Sequence, residues 1–237
     1  MAQKLNILLF GGTGMVGRGV LRECLLDPDV QLVQTVGRTA TGMLHPKLRE
    51  IVYPDLWHYA PIEPDLSGFD ACFFCLGVSA AGMTEDDYER VTYGITMAAA
   101  ETLVRLNPHM TFIYVSGAGT DSSERGRTMW ARVKGKTENA LMRLPFKGAY
   151  MFRPALIQSL HGESTKTPAY RLAYAVIRPL FPVIRWALPN SVTTTEQIGR
   201  AMLAVARHGA PKRILESSDI SAIGRADVRP DAKDSTS

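Results

Sequence analysis

The stretch that decides the fold is Lys4-Leu5-Asn6-Ile7-Leu8-Leu9-Phe10-Gly11-Gly12-Thr13-Gly14-Met15-Val16-Gly17. Its first part is apolar without clean alternation, the pattern of a strand covered on both faces. Its second part holds a G-x-G-x-x-G run, Gly12 to Gly17, preceded by Gly11 and followed by an amphipathic segment reaching about Leu26. Alone, such a run is a weak signal; between a strand and a helix it has a mechanism. The glycines allow a tight turn, close approach of a pyrophosphate, and close packing of helix on strand. The helix N-terminus offers that phosphate unpaired N–H groups and the positive end of the dipole. Gly11, Gly12, Thr13, Gly14, Met15, Val16 and Gly17 are therefore the expected pyrophosphate cradle.

Outward from this stretch, strands are expected at Gln31–Val36, Leu48–Tyr53, Ala71–Leu76, Met110–Val115 and Gly148–Phe152. Helical stretches are expected over about Asp86–Leu106 and Thr128–Leu144. Strands separated by helices mean parallel βαβ units with helices on both faces of one sheet. The expected class is α/β, a Rossmann-like doubly wound parallel sheet. After Pro154 the pattern is irregular, punctuated by Pro168, Pro179, Pro182 and Pro189, until a helix over Glu196–His208 and a short strand at Arg213–Glu216. This predicts one domain over 1–237. Residues 1–154 form the dinucleotide-binding core and 155–195 a small substrate cap. Residues 196–224 complete the core, and 225–237 form a flexible polar tail.

A carboxylate at the end of the second strand would hold a ribose 2′-hydroxyl; here Arg38 follows Gly17 by 21 residues. A guanidinium grips a 2′-phosphate that a carboxylate would repel. NADP(H) is expected ahead of NAD(H). Asp55 and Leu56, at the end of the third strand, are placed to meet the adenine. Gly77 and Ser116 end strands on the ligand-binding edge.

The chain has 237 residues, 46% hydrophobic and 21% charged, which is ordinary globular composition and excludes a disordered chain. No uncharged apolar run reaches the ~20 residues of a membrane-spanning helix, and no signal peptide is apparent. Three cysteines fit a reducing compartment. A cytoplasmic location is the expectation. Cys72-Phe73-Phe74-Cys75 matches C-x-x-C by letter, but in a strand positions i and i+3 point to opposite faces, so two buried thiols are expected and no metal site is assigned. Charge is uneven. Residues 1–124 carry net −7, residues 125–213 net +13, and residues 214–237 net −2. A basic second half suits a phosphate-bearing ligand, an anionic surface, or simply solvent. Arg171, Arg178 and Arg185 recur every seven residues in the apolar stretch Tyr170–Leu188. Pro179 and Pro182 forbid one continuous helix there, so two short helices over a substrate pocket are expected. A homodimer contact and a weak peripheral membrane contact stand as the alternatives. Nucleic acid is not expected: no helix-turn-helix, zinc or RNP-like motif is present.

These residues resemble the short-chain dehydrogenase/reductase superfamily in its atypical branch. The matching pieces are Gly11 to Gly17, Gly37-Arg38, Asp55-Leu56, Cys75-Leu76-Gly77, Val115-Ser116, Val133-Lys134-Gly135 and Phe152-Arg153-Pro154. The run from the fourth strand to Lys134, with Ile198-Gly199-Arg200-Ala201-Met202, is similar to the HIV Tat-interacting protein 2-like group, often labelled NAD-dependent epimerase/dehydratase-like. The resemblance implies that Leu76, Gly77, Arg153 and Pro154 border the cofactor, with a structural ion pair as the other reading of Arg153. It implies a catalytic unit of Ser, Tyr and Lys. Ser116 and Lys134 match, Lys134 holding the nicotinamide ribose, but the Tyr position holds Trp130. An indole N–H only donates and has no acid dissociation in the range of a tuned phenol.

Three routes remain. A tyrosine of the preceding helix, Tyr93 or Tyr88, takes the role; or solvent supplies the proton to a conjugated acceptor; or no reaction occurs. The leading expectation is an NADPH-dependent oxidoreductase reducing a small conjugated or apolar acceptor. A non-catalytic NADP(H)-binding sensor is the alternative, and a sugar-nucleotide epimerase or dehydratase the third.

Overall fold

The computed structural model describes residues 4–160 and 191–226. In chain order it contains β1 (Leu5–Phe10), α1 (Met15–Leu26), β2 (Val30–Gly37), β3 (Leu48–Val52), a 3₁₀ segment (Ala60–Leu66) and β4 (Ala71–Phe74). Then come α2 (Glu85–Glu89), a π-helical turn (Arg90–Gly94), α3 (Ile95–Leu106), β5 (Thr111–Val115), α4 (Met129–Arg143) and β6 (Gly148–Arg153). The rest are β7 (Leu156–Gln158), β8 (Val192–Thr194), α5 (Thr195–His208), β9 (Ile214–Glu216) and α6 (Ser217–Ala226).

Seven strands form one sheet in the order β3-β2-β1-β4-β5-β6-β9, all paired in parallel. The chain reverses its direction of travel across the sheet between β1 and β4. That switch point opens a crevice at the carboxyl ends of the strands, where ligands of such sheets bind. Alternate residues of one strand feed two cores. Leu8 and Phe10 of β1, with Phe74, Phe112 and Tyr114, pack against Ala99 and Leu103 of α3 and Leu141 of α4. Ile7 and Leu9, with Phe73, Ile113 and Phe152, pack against Val20 and Leu21 of α1 and Ile198 and Met202 of α5. Each of the Val, Leu, Ile, Phe and Met side chains among them is worth about 1.5–3 kcal/mol when fully buried. The architecture is the Rossmann-like α/β sheet that the sequence implies.

Cys72 lies in the first core and Cys75 against the second, so the two thiols point apart as strand alternation requires. Burial pushes both thiols well above their usual pKa, away from the reactive thiolate.

Three features depart from the reading above. The helix expected over 86–106 is broken at 90–94 by a π turn, where β-branched Val91 and Thr92 precede Gly94, all weak helix formers. Beyond Pro154, β7 and β8 form a separate parallel ladder; three-residue strands are too short to show a period. Helix α6 was not expected, because Ser217, Ser218 and Gly224 have low propensity; burial of Ile220 and Ser221 overrides it. The arginines at 171, 178 and 185, most of the expected cap and the tail beyond 226 lie outside the described residues.

Candidate cofactor and active site

The glycine loop leaves β1 through Gly11, which has φ +80. A Cβ on Gly11 would stand 2.7 Å from the backbone of Cys75 and Leu76, so the first turn presses against the exit of β4. A Cβ on Gly17 would meet the Gly11 carbonyl oxygen at 2.1 Å, so α1 can sit over the strand end only with glycine there. Gly14 is different. Its φ of −81 and ψ of 166 suit any residue, and the nearest atom to a Cβ would be 3.4 Å away. Among the described residues nothing demands glycine at 14; what it keeps clear is the space outside the turn. The N-cap residue Gly14 has no side chain to cap α1 and the first turn carries no acidic residue, so among the described residues its N–H groups and dipole remain for an anion. Thr13, Met15 and Val16 complete the turn, half-buried. A glycine turn, a helix N-terminus whose cap residue has no side chain and a switch-point crevice fit a dinucleotide pyrophosphate.

Arg38 follows directly on β2, is exposed, and makes no hydrogen bond or ion pair with the described residues. At the end of β3, the Asp55 carboxylate accepts the Trp57 N–H at 2.9 Å and lies 2.9 Å from His58 Nδ1. The Trp57 N–H and then His58 hold its pKa below the usual value. Leu56 is only 2% exposed and belongs to the core. That corrects the expectation for its side chain, which does not face the groove. Leu76 is half-buried and Gly77 exposed, with nothing within 4 Å of a Cβ at 77.

Ser116, at the end of β5, is 5% exposed and its hydroxyl faces inward. It has one proton to donate and two neighbours, Glu138 Oε1 at 2.5 Å and the Phe152 carbonyl at 3.2 Å. The charged, nearer carboxylate is the stronger acceptor. Glu138 of α4 has no exposure and takes a forked contact from Arg153, at 3.0 Å to Nε and 2.5 Å to Nη2. Arg153 also reaches Ser122 Oγ at 2.6 Å and Glu216 at 3.4 Å. The fork of Arg153 is therefore occupied by protein: it is the structural ion pair and not a free cofactor ligand. Pro154 is buried, and its carbonyl accepts the Ala118 N–H at 2.9 Å. The hydroxyl of Ser116 does not face the crevice where a substrate carbonyl would be oriented.

Lys134 stands one turn before Glu138 on α4. Its ammonium donates to the Ser116 carbonyl oxygen and lies 3.9 Å from where a Cβ on Gly117 would be. Burial pushes its pKa down to about 8, only partly offset by Glu138. Trp130, one turn earlier, has its ring edge 3.6 Å from the Cβ position of Gly119 and is partly exposed. Lys134 thus meets the Ser116 backbone at the carboxyl end of β5, and Trp130 packs against the turn that follows.

Tyr93 does not substitute at this edge. Tyr93 lies under Lys136, whose ammonium is 4.9 Å from the ring centroid. It lines a cavity of ≈ 340 Å³ with Trp57, Asp86, Glu89, Arg90 and Gly94. Lys136 and Lys134 are two residues apart on α4 and point to different sides of the helix. Tyr88 is 2% exposed. The contact with Lys136 takes Tyr93 away from Ser116 and Lys134, while Tyr88 lies close to Tyr114 of β5. Glu138 is the functional neighbour that the sequence reading missed. Its signal was the i, i+4 spacing from Lys134.

No family model matches the chain. The mitochondrial protein FMP52-2 of Scheffersomyces stipitis is 29% identical over 152 residues, 63% of this chain and 65% of that relative's length. The mitochondrial protein FMP52 of Chaetomium globosum is 24% identical over 231 residues, 93% of this chain and 97% of the relative. The Bordetella bronchiseptica enzyme WbmF, solved with NAD+, superposes with a TM-score of 0.66 at 16% identity, covering 94% of this chain and 77% of that one. The UDP-N-acetylglucosamine 4-epimerase of Methanobrevibacter ruminantium gives a TM-score of 0.67 at 15% identity over 91% of this chain and 76% of that one. These solved structures share the chain's Rossmann-like fold. The relatives' names overturn the cytoplasmic expectation, which rested on the lack of an apparent signal peptide or spanning run and on the cysteine count: the proteins similar in sequence are named as mitochondrial.

Proposed function

We propose that the chain binds NADP(H) and works as an oxidoreductase of the atypical short-chain dehydrogenase/reductase type. The observation that carries the reading is the glycine cradle of residues 11–17 with the Arg38 guanidinium, unpaired among the described residues, at the exit of β2. Glycines 11, 14 and 17 and the N–H groups of α1 would hold the pyrophosphate. Arg38 would meet a 2′-phosphate, and Lys134 the nicotinamide ribose. When bound, the reduced nicotinamide supplies a hydride. The chain's own residues would place the nicotinamide edge near Trp130, and at that position an indole stands where a phenol would donate the proton. That restricts the substrate to acceptors whose charge delocalises after hydride arrival, such as quinones or enones. The resemblance to the HIV Tat-interacting protein 2-like group belongs to this proposal, as does a mitochondrial location taken from the relatives' names.

A second reading, a non-catalytic NADP(H)-binding regulator, is favoured by one contact: the Ser116 hydroxyl bonded to buried Glu138 at 2.5 Å. Titration of the purified protein with NADPH and NADH, followed by tryptophan fluorescence, tests the shared premise. Quenching by NADPH at concentrations where NADH has no effect is expected, and Arg38→Glu should erase the difference. Binding of neither nucleotide would overturn both readings. Turnover of NADPH with a quinone and enone panel then separates enzyme from sensor.

A further inference from the structure

Arg38 does not hang on an open strand end. The segment it begins is folded back onto the glycine loop and fastened at Thr41, which is only 6% exposed. The Thr41 N–H donates to Glu50 Oε2 at 2.7 Å and its hydroxyl to Glu50 Oε1 at 3.0 Å. The Thr35 hydroxyl donates to the same carboxylate at 3.3 Å. Glu50 sits on β3 in register with Thr35 of β2, so the anchor belongs to the sheet. The methyl groups of Thr35 and Thr41 lie 3.2 and 3.3 Å from where a Cβ on Gly12 would be. The loop and the phosphate cradle are thus in direct contact. From the other side, Arg18 of α1 places Nη2 3.3 Å from the Thr41 carbonyl oxygen. The far end of the loop is tied as well, by Lys47 Nζ to the Leu25 and Asp27 carbonyls at 3.2 and 2.6 Å.

Thr41 therefore joins three things: a sheet-borne carboxylate, the glycine loop, and a second guanidinium. We propose that Arg18 and Arg38 together form a clamp for the 2′-phosphate of NADP(H), with Glu50 as the latch that sets the clamp's geometry through Thr41. The inference deepens the NADP(H) reading and rests on it. A carboxylate close to a phosphate site is at first sight unfavourable. Here its oxygens already accept three protein donors, and two guanidinium groups outnumber it. A preorganised loop avoids the ordering cost that a free one would carry into the complex.

The latch and simple charge repulsion predict opposite signs. If Glu50 were only a nearby negative charge, removing it would tighten binding of the phosphate. If it is the latch, removing it weakens binding. The probes are adenosine 2′,5′-bisphosphate against 5′-AMP, and NADPH against NADH, with Kd measured by calorimetry on the full chain. The wild-type protein is expected to prefer the 2′-phosphorylated member of each pair. Arg18→Met and Glu50→Ala should each raise the Kd of that member about tenfold, the scale of one lost charge-assisted contact, and leave 5′-AMP and NADH unchanged. Unchanged 5′-AMP binding also shows that the cradle is still folded. Thr41→Val, which keeps the N–H and one methyl but loses the hydroxyl, should give a smaller loss and serves if Glu50→Ala does not fold. A wild-type protein without preference would sink the NADP(H) reading itself. A preference that survives Arg18→Met, or one that sharpens in Glu50→Ala or Thr41→Val, would overturn the clamp and leave that reading standing.

Discussion

The Ser116 hydroxyl lies 2.5 Å from Glu138 Oε1 inside the protein, and the same carboxylate is gripped by Arg153. A serine that would orient a substrate carbonyl in a complete Ser-Tyr-Lys unit is here part of an internal network linking β5, β6 and α4. With Trp130 in the tyrosine position, two of the three groups of that unit are engaged elsewhere or chemically unable to act.

The network is first a matter of stability. Glu138→Ala leaves the Arg153 guanidinium with much of its pairing gone while still largely buried, and breaking such a pair costs about 3–5 kcal/mol. The double variant Glu138→Met, Arg153→Met should recover most of that loss. Urea denaturation of the three proteins checks this. A double variant no more stable than Glu138→Ala would show that the charge left behind is not the cause.

Gly14 and Gly17 should separate ligand binding from folding. At Gly17 a Cβ would be 2.1 Å from the Gly11 carbonyl oxygen. Gly17→Ala is expected to destabilise the free protein by about 1–3 kcal/mol, the scale of overpacking. At Gly14 the nearest atom would be 3.4 Å away, so Gly14→Ala should leave the melting temperature of the free protein almost unchanged. The same variant should weaken NADPH binding about tenfold or more. Thermal shift with and without NADPH measures both effects.

Lys134 carries a pH signature. Burial lowers its folded pKa to about 8, below the unfolded value of about 10.4. Between those values the unfolded chain binds more protons, so this group makes stability rise with pH. The cost of burying the charge is fully present below about pH 8 and gone above pH ~10.4. Lys134→Met should therefore be more stable than the natural chain at pH 7, by on the order of 2–3 kcal/mol, and the gain should shrink towards pH 10. A gain that is flat with pH would mean that the ammonium is not the source.

Trp130→Tyr restores a phenol one turn before Lys134. Reduction of simple ketones with NADPH should then rise about tenfold. That is short of the 10²–10⁴ of a fully positioned acid, because Ser116 stays bonded to Glu138. Initial rates of NADPH oxidation with and without the ketone would show it. Equal rates in the two proteins would place the missing phenol outside the cause.

Much of this was legible in the chain. The run from Lys4 to Gly17 carries strand, turn and helix in local signals, each with its own mechanical reason, and the parallel sheet with helices on both faces follows from alternating strands and helices. The ends of β3 and β6 were harder. Leu56 and Arg153 sit where ligand contacts are expected by position, yet one faces the core and the other is claimed by Glu138 from a different helix. Such partnerships depend on which side chains converge across the sheet, and no short-range spacing encodes them. Tyr93 shows the same limit. Its helix flanks the right edge, but a π turn and the ring's contact with Lys136 point it to another side of α4.

Helix α1, which carries the cradle, is gripped from far along the chain. Arg200 and Arg207 of α5 reach Glu23 and Asp27 at 3.1 and 2.5 Å, across 177 and 180 residues of sequence. Contacts of such long range make folding slow, because loop closure must come before its reward. During synthesis Val20, Leu21 and Phe73 stay uncovered until α5 has left the ribosome. The nucleotide cradle is the first part of this protein to be made and among the last to be finished, and until then its apolar face is a target for chaperones and proteases.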